Sequence, residues 1–439
     1  MGVLKRSNSG IELEINILDN EGKISNNANE LIHAIRKKHK TINIVHEETQ
    51  NMIELKSLPK VRLKDSLPRL FDELETVLDE MEKKELIPFG LGSYPGKFES
   101  KLVEKKRYLL QSKIFDPKKQ LFCWSHCAGF HFHYTLPKGV FDAKKKFLKP
   151  LYGSKTKQTM IDSFNLLVAV DPASTALMQS SPFIDGKFLA KDSRMLLIRN
   201  PKHLDYPKSL FSELGEFGEL PNYTWTMQDL RHKLINMDTK MKRLIKKAGF
   251  SGDAKKKKIL DFVWTAVKIN RHGTLEQRGS DMNHPKYFAG MAVLFKSIQR
   301  IVQQKFYKVE VSDIGIKEPF KVEGEKIYIP PQSYVKLKLQ NASAYKGFED
   351  KEIYNYVKRF YNFGKMHTNK DYLKLLEPIK KLIDRKETVS DVLIKRAKKK
   401  GYSITDTLPQ NVCREIALQH STQFVKETHK IKEILSGLE

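Results

Sequence analysis

The sequence predicts an α+β fold, and three observations carry that reading. Segments that alternate apolar and polar residues occur at Gly10–Leu18, Ala128–Leu136 and Thr274–Arg278, the period of strands with one buried face. Between them lie longer stretches whose apolar residues recur three and four apart, as on amphipathic helices. Beyond about Glu349 the pattern is helical and rich in Lys to the end. With 439 residues, 40% of them hydrophobic, the chain can bury a sizeable core, which excludes a disordered basic tail protein.

Taken in order, Ile11, Leu13, Ile15 and Ile17 mark the buried side of a first strand. A short helix over about Asn26–His39 follows, then strands at Ile42–Val45 and Met52–Lys56 separated by polar residues. After Pro59 an amphipathic helix spans about Leu63–Glu85 and ends before Pro88, and another covers about Glu99–Lys113. In the strand Ala128–Leu136, Phe130, Phe132 and Tyr134 share one face while His131, His133 and Thr135 share the other. Thr159–Gln179 reads as an apolar helix that Pro172 should bend or interrupt. Helices are expected at about Met227–Lys247 and Lys286–Tyr307, and short strands from Lys308 to Leu339.

Lys and Arg number 79 against 52 Asp and Glu, a formal net charge of +27. Such an excess fits either an acidic partner or a solvated Lys-rich surface. The basic runs Arg36–Lys38, Lys144–Lys146, Lys255–Lys258 and Lys398–Lys400 are scattered. They do not form the single stripe, interleaved with aromatics, of a dedicated nucleic-acid binder, so a nucleic-acid partner is not expected. No apolar run approaches the ~20 residues needed to span a bilayer, and no membrane partner is expected either. The N-terminal Met1–Arg6 has no signal-peptide character, and Cys123, Cys127 and Cys413 are too few and uneven for a disulfide framework. The expected location is cytoplasmic; self-association is compatible with the sequence.

The chemistry lies in the polar faces of the strands. Glu12 and Glu14, Glu54, His131 and His133, and Glu276 with Arg278 repeat Glu or His where a merely wet face mixes Lys, Thr, Ser and Gln. Residues two apart stay on one face about 7 Å from each other. Carboxylates gathered this way repel unless cations neutralise them, and an oxygen-rich set suits Mg2+ or Mn2+ with phosphate oxygens, hence a nucleoside triphosphate. Glu47 can join only through a turn or bulge within His46–Asn51, because seven positions separate it from Glu54. Cys123, His126, Cys127, His131 and His133 lack a second Cys pair at zinc spacing, so the thiols read as small buried residues. Pro88–Gly96 lacks the Lys-Ser/Thr of a phosphate loop and reads as a substrate-side or structural loop. Ser180-Ser-Pro-Phe183 followed by Arg194 offers a forked donor for a carboxylate or phosphate, or for a surface salt bridge.

Five segments in order resemble glutamate–cysteine ligase family 2: Gly10–Ile15, Glu47–Glu54, Cys127–His133, Ser180–Phe183 with Asp192–Arg194, and Trp264 leading to Gly273–Arg278 with Asp281. The resemblance spans about residues 10–300. It implies an antiparallel, glutamine-synthetase-like sheet cupping the active site, with helices on its outer face. It also implies magnesium held by Glu12, Glu14, Glu47, Glu54, His131 and Glu276, with Glu54 catalytic. Arg278 and Arg194 would meet phosphate or the substrate carboxylate, with His133 also on the ATP side. The implied activity joins the side-chain carboxylate of glutamate to the amine of cysteine through an acyl phosphate, with ATP and Mg2+ or Mn2+. Two departures fall on the substrate side: Ser93-Tyr-Pro where a Thr-His-Pro is common, and Val267-Lys268 where an Arg is expected. Residues 1–340 are expected to form the catalytic domain and 341–439 a basic helical subdomain. The alternatives are the same chemistry on another acid and amine, such as a peptide, and a basic nucleic-acid-binding protein with a relic site.

Overall fold

The computed structural model describes residues 7–150, 153–199, 201–252 and 258–438; the N-terminal hexapeptide and residues 255–257 of the third basic run lie outside them. A seven-stranded antiparallel sheet organises the chain. Its strands are β1 (Ser9–Asp19), β2 (Ile44–His46), β3 (Met52–Lys56), β4 (Leu86–Phe89) and β5 (Gly129–Thr135). Two further strands close the list after two short hairpins, β6/β7 (Phe141–Asp142, Phe147–Leu148) and β8/β9 (Phe183–Ile184, Lys187–Phe188): β10 (Val267–Asn270) and β11 (Thr274–Asp281). The order is β10-β11-β5-β1-β3-β2. Strand β4 pairs with the second half of β1, beyond the point where β5 leaves it.

The helical elements begin with α1 (Ala28–Lys38), α2 (Leu63–Glu82), α3 (Lys106–Ser112), α4 (Pro117–His126), α5 (Lys155–Met178), α6 (Ser193–Ile198), α7 (Met227–Lys247) and α8 (Pro285–Lys305). Helices α1, α2, α5 and α8 pack against the sheet, while α3, α4, α6 and α7 contribute to a separate apolar cluster, and α3 and α4 also reach the polar cleft with Tyr108 and Trp124. A small sheet of β12 (Lys308–Val311), β13 (Val322–Glu323) and β14 (Lys326–Ile329) precedes α9 (Lys351–Met366), α10 (Leu373–Arg385), α11 (Val389–Lys399) and α12 (Gln410–Ser436). The alternation in β5 dictates the layering. Phe130 and Phe132 point to the helical side and meet Phe288 and Phe295 of α8 at ring separations of 5.6–6.5 Å, while His131 and His133 point away. The C-terminal helices place Phe360, Ile379, Phe424 and Ile431 in this same apolar core.

Three local expectations are corrected. The helix expected over Glu99–Lys113 is confined to Lys106–Ser112, because 101–103 runs beside 48–50 and spends its backbone groups there, Gln50 N–H donating to Lys101 O and Val103 N–H to Glu48 O. Helix α5 passes through Pro172 without interruption. Its second half is buried throughout, and the Ser174 and Thr175 hydroxyls bond to Asp171 O, so packing outweighs the missing donor. Residues 334–339, read as strand, are helical. Helix α4 is unanticipated; Asp116 caps it by accepting from Lys119 N–H, with Pro117 in the first turn.

Asp162 of α5 anchors the small sheet by accepting the Val309 N–H at 3.0 Å. Burial raises its carboxyl to about 6. A folded-state value above the unfolded one means that Asp162 is tolerated in its protonated form and costs stability as pH rises through 6. Asp162→Asn keeps an acceptor without the charge. Thermal unfolding should show little change at pH 4 and a gain of up to about 3 kcal/mol above pH 7; an equal effect at both pH values would contradict the assignment.

Candidate active site

The strand register gathers the polar residues. Glu14 lies opposite Glu54 and Glu12 opposite Lys56 across β1 and β3. On the other side Glu12 faces His131, His133 faces Glu276, and Glu276 faces Lys268 on β10. All of them, with Glu47, line one cleft of about 590 Å³. Strand β2 ends at His46 and a turn precedes β3, so the chain reverses between Glu47 and Glu54 as their spacing requires.

Two groups of ligand atoms form on this face, Glu12, His131 and Glu276 in one and Glu14, Glu54 and His131 in the other, each within 4.8 Å. His131 Nδ1 lies 3.4 Å from Glu12 Oε2 and its Nε2 3.4 Å from Glu14 Oε1. His133 Nε2 is 3.4 Å from Glu12 Oε2, with Nδ1 3.0 Å from the Thr274 hydroxyl. His133 thus stands among the acids rather than with Arg194 and Arg278. Asn270 donates to Glu276 Oε2 at 2.6 Å and Gly129 N–H to Glu14. Glu47 belongs to neither group.

The electrostatics are those of acids short of positive charge. Burial pushes Glu14 up to about 7, with Arg194 opposing and Glu54 adding to the rise. Burial and the Glu14 charge raise Glu47 to about 8, and burial, Glu12 and Glu47 raise Glu54 far above the carboxylate range. For Glu12, burial is overcome by His133, His131 and Lys56; for Glu276, by Lys268, His133 and Arg278. Both are held low. Burial and Arg278 lower His131 to about 3, keeping its imidazole neutral. The Nε2 atoms of His131 and His133 are buried without a hydrogen-bond partner. Carboxylate oxygens beside a neutral, unpartnered imidazole nitrogen fit Mg2+ or Mn2+.

The cationic side is built by a β-bulge between Gln277 and Ser280, which turns Arg278 into the cleft. Gly279 is needed there: a Cβ would lie 2.1 Å from Asp171 Oδ1 and 2.6 Å from an Arg199 nitrogen. Asp171 and Arg199 form a buried two-pronged ion pair at 2.7 and 2.9 Å. Arg194 braces the bulge by donating to the carbonyls of Arg278 and Gly279 at 3.2 Å. A small pocket adjoins the cleft, sharing Glu14, Trp124, Trp264 and Arg278 with it and adding Arg194 and Arg199. Arg194 Nε and Trp124 Nε1 are both buried there without a partner, two free donors beside an acidic cluster.

Sequence reasoning missed Lys56, Asn270, Thr274, Trp124 and the Asp171–Arg199 pair. Lys56 carried a signal, since it stands two residues after Glu54 and therefore on the same face. Cys123 and Cys127 are buried, and burial raises Cys123 to about 12 and holds Cys127 well above the usual thiol range. Among the described residues no metal-competent group includes a cysteine. The loop Pro88–Gly96 is buried and none of it lines either cavity. Ser93 bonds to Phe183 O, Gly92 N–H to Ser180 Oγ, and Gly90 abuts Phe424, so it acts as a structural loop.

Gly279→Ala should lower stability by roughly 1–3 kcal/mol and reduce turnover at least tenfold through a displaced Arg278. Unfolding midpoint and ATP hydrolysis measured together check it; an unaffected variant would refute the close approach.

Residues 8–403 match the family description of glutamate–cysteine ligase family 2. No curated protein sequence matches the chain. Among solved structures, a bifunctional glutathione synthetase from Pasteurella multocida aligns at TM-score 0.55 and 13% identity, over 95% of this chain and 53% of that one. The chain therefore spans about half the length of that relative, with which it shares the fold. A glutamate–cysteine ligase from Francisella tularensis in complex with AMP aligns at TM-score 0.49 and 15% identity, over 99% and 93% of the two chains. With residues 8–403 accounted for, the chain belongs to glutamate–cysteine ligase family 2.

Proposed function

We propose that the cleft joins glutamate to cysteine as γ-glutamylcysteine, using ATP and Mg2+ or Mn2+. The observation that carries this reading is the pair of Glu/His groups sharing His131 on adjacent strands. Glu12, Glu14, Glu54, His131 and Glu276 would hold the divalent ions, with Glu47 reaching in from its loop. Bound there, the ions supply charge neutralisation to the triphosphate.

The chain's own groups account for the rest. Arg278 faces the acids from the bulge and stabilises charge on the transferred phosphoryl group. The free donors Arg194 Nε and Trp124 Nε1 suit a substrate carboxylate. A carboxylate oxygen attacks the γ-phosphorus, the bond from that phosphorus to the bridging oxygen breaks, and ADP leaves. The amine nitrogen then attacks the acyl carbon, phosphate departs with the former carboxylate oxygen, and the nitrogen loses a proton. No protein nucleophile is required, and the Trp124 and Trp264 walls keep water from the acyl phosphate. Residues 1–340 carry this chemistry and 341–439 brace it as a helical subdomain. A cytoplasmic location rests on three free thiols.

A second reading, another acid and amine, is favoured by Lys268, which pairs with Glu276 at 3.4 Å where an Arg is expected. ADP release with panels of acids and amines separates the two: glutamate with cysteine should give the greatest stimulation, and stimulation no greater than by other pairs would overturn the first reading. Glu54→Gln and Glu276→Gln should each reduce ATP turnover by at least ~100-fold with an unchanged circular dichroism spectrum. Undiminished turnover in both would refute the metal assignment.

A further inference from the structure

The carboxylates on the polar face crowd together at three gaps. Two are the groups around His131. The third lies between Glu12 and Glu54, and Lys56 spans it: its Nζ is 2.9 Å from Glu12 Oε1 and 2.5 Å from Glu54 Oε2. We propose that Lys56 is a built-in cation that fills this third gap, so that the cleft binds one divalent ion fewer than its carboxylates could hold. The inference rests on the metal reading of the site.

The sheet fixes the arrangement. Lys56 is the cross-strand partner of Glu12 and stands two residues from Glu54 on one strand, so both carboxylates fall within reach of one side-chain stem. Its backbone is locked on one side by Lys56 N–H donating to Asn43 O, and its neighbour Ser57 takes the Ile11 N–H on its hydroxyl at 2.8 Å. Both carboxylates are largely buried, at 17% and 8% exposure against 29% for Lys56, which separates this contact from a solvated surface pair. An ammonium group differs from a divalent ion in what it can do. It carries one charge, donates hydrogen bonds, and offers no coordination position to a phosphate oxygen. Lys56 therefore quiets the repulsion between Glu12 and Glu54 permanently, while the groups around His131 remain for ions that must meet the triphosphate.

The test counts ions rather than turnover. The full chain, Lys56→Met, Lys56→Gln and Lys56→Arg are titrated with Mn2+, and free Mn2+ is followed by its paramagnetic resonance signal. Removing the charge in Lys56→Met or Lys56→Gln should raise the number of tightly bound Mn2+ ions by one per chain, and Lys56→Arg should keep the native number. An unchanged number in folded Lys56→Met or Lys56→Gln overturns the proposal, as does a gain in Lys56→Arg. Failure of the native chain to bind any Mn2+ would instead overturn the metal reading beneath it.

Discussion

Like charges held close in a buried cleft are what the rest of this structure answers to. Two carboxylates about 5 Å apart at an effective dielectric of about 20 repel by roughly 3 kcal/mol, and the face of β1, β3, β5 and β11 holds several such neighbours. Everything around them offers positive charge or removes negative charge. Lys56 stands on β3 beside Glu54 and Lys268 on the flanking β10, Arg278 enters by a bulge, and Glu14, Glu47 and Glu54 are driven toward protonation by burial. Divalent ions would complete the balance. The acid is thus concentrated inside a protein whose net charge is +27, leaving the exterior more basic than the total suggests.

Holding such a set requires a rigid support, and the opposite face supplies it. Phe130 and Phe132 alternate with His131 and His133, so the same four residues that aim imidazoles at the cleft lock the strand to α8. Beneath the bulge, the Asp171–Arg199 pair and Gly279 fit so closely that no side chain can replace the glycine's hydrogen. Arg194 then ties the bulge carbonyls to α6. The position of Arg278 is thus set by backbone fit and by buried neighbours rather than by its own side-chain contacts alone.

Much of this was legible in the sequence because strand parity is a local property. Glu12, Glu14, Glu54, His131, His133 and Glu276 declare one face by alternation alone, and the structure brings that face together in a single cleft. Alternation cannot say which strands are neighbours, so the cross-strand pairing of Glu12 with Lys56 stayed hidden although both residues were in view. Buried polar pairs such as Asp171–Arg199 join residues 28 apart and leave no periodic trace. The proline rule misled at Pro172, and the helical reading failed at 99–105, where tertiary packing and pairing outweighed local pattern. The scattered basic runs formed no stripe in the sequence, and the proposed chemistry lies in an acidic cleft instead.

The central claim is that the carboxylate face is a cradle for divalent cations. Anomalous diffraction from crystals grown with Mn2+ tests it most directly. The account expects peaks between Glu12, His131 and Glu276 or between Glu14, Glu54 and His131, within about 2.0–2.3 Å of carboxylate oxygens and an imidazole nitrogen. A cleft without a peak at saturating Mn2+, or peaks confined to exposed acids elsewhere, would contradict it.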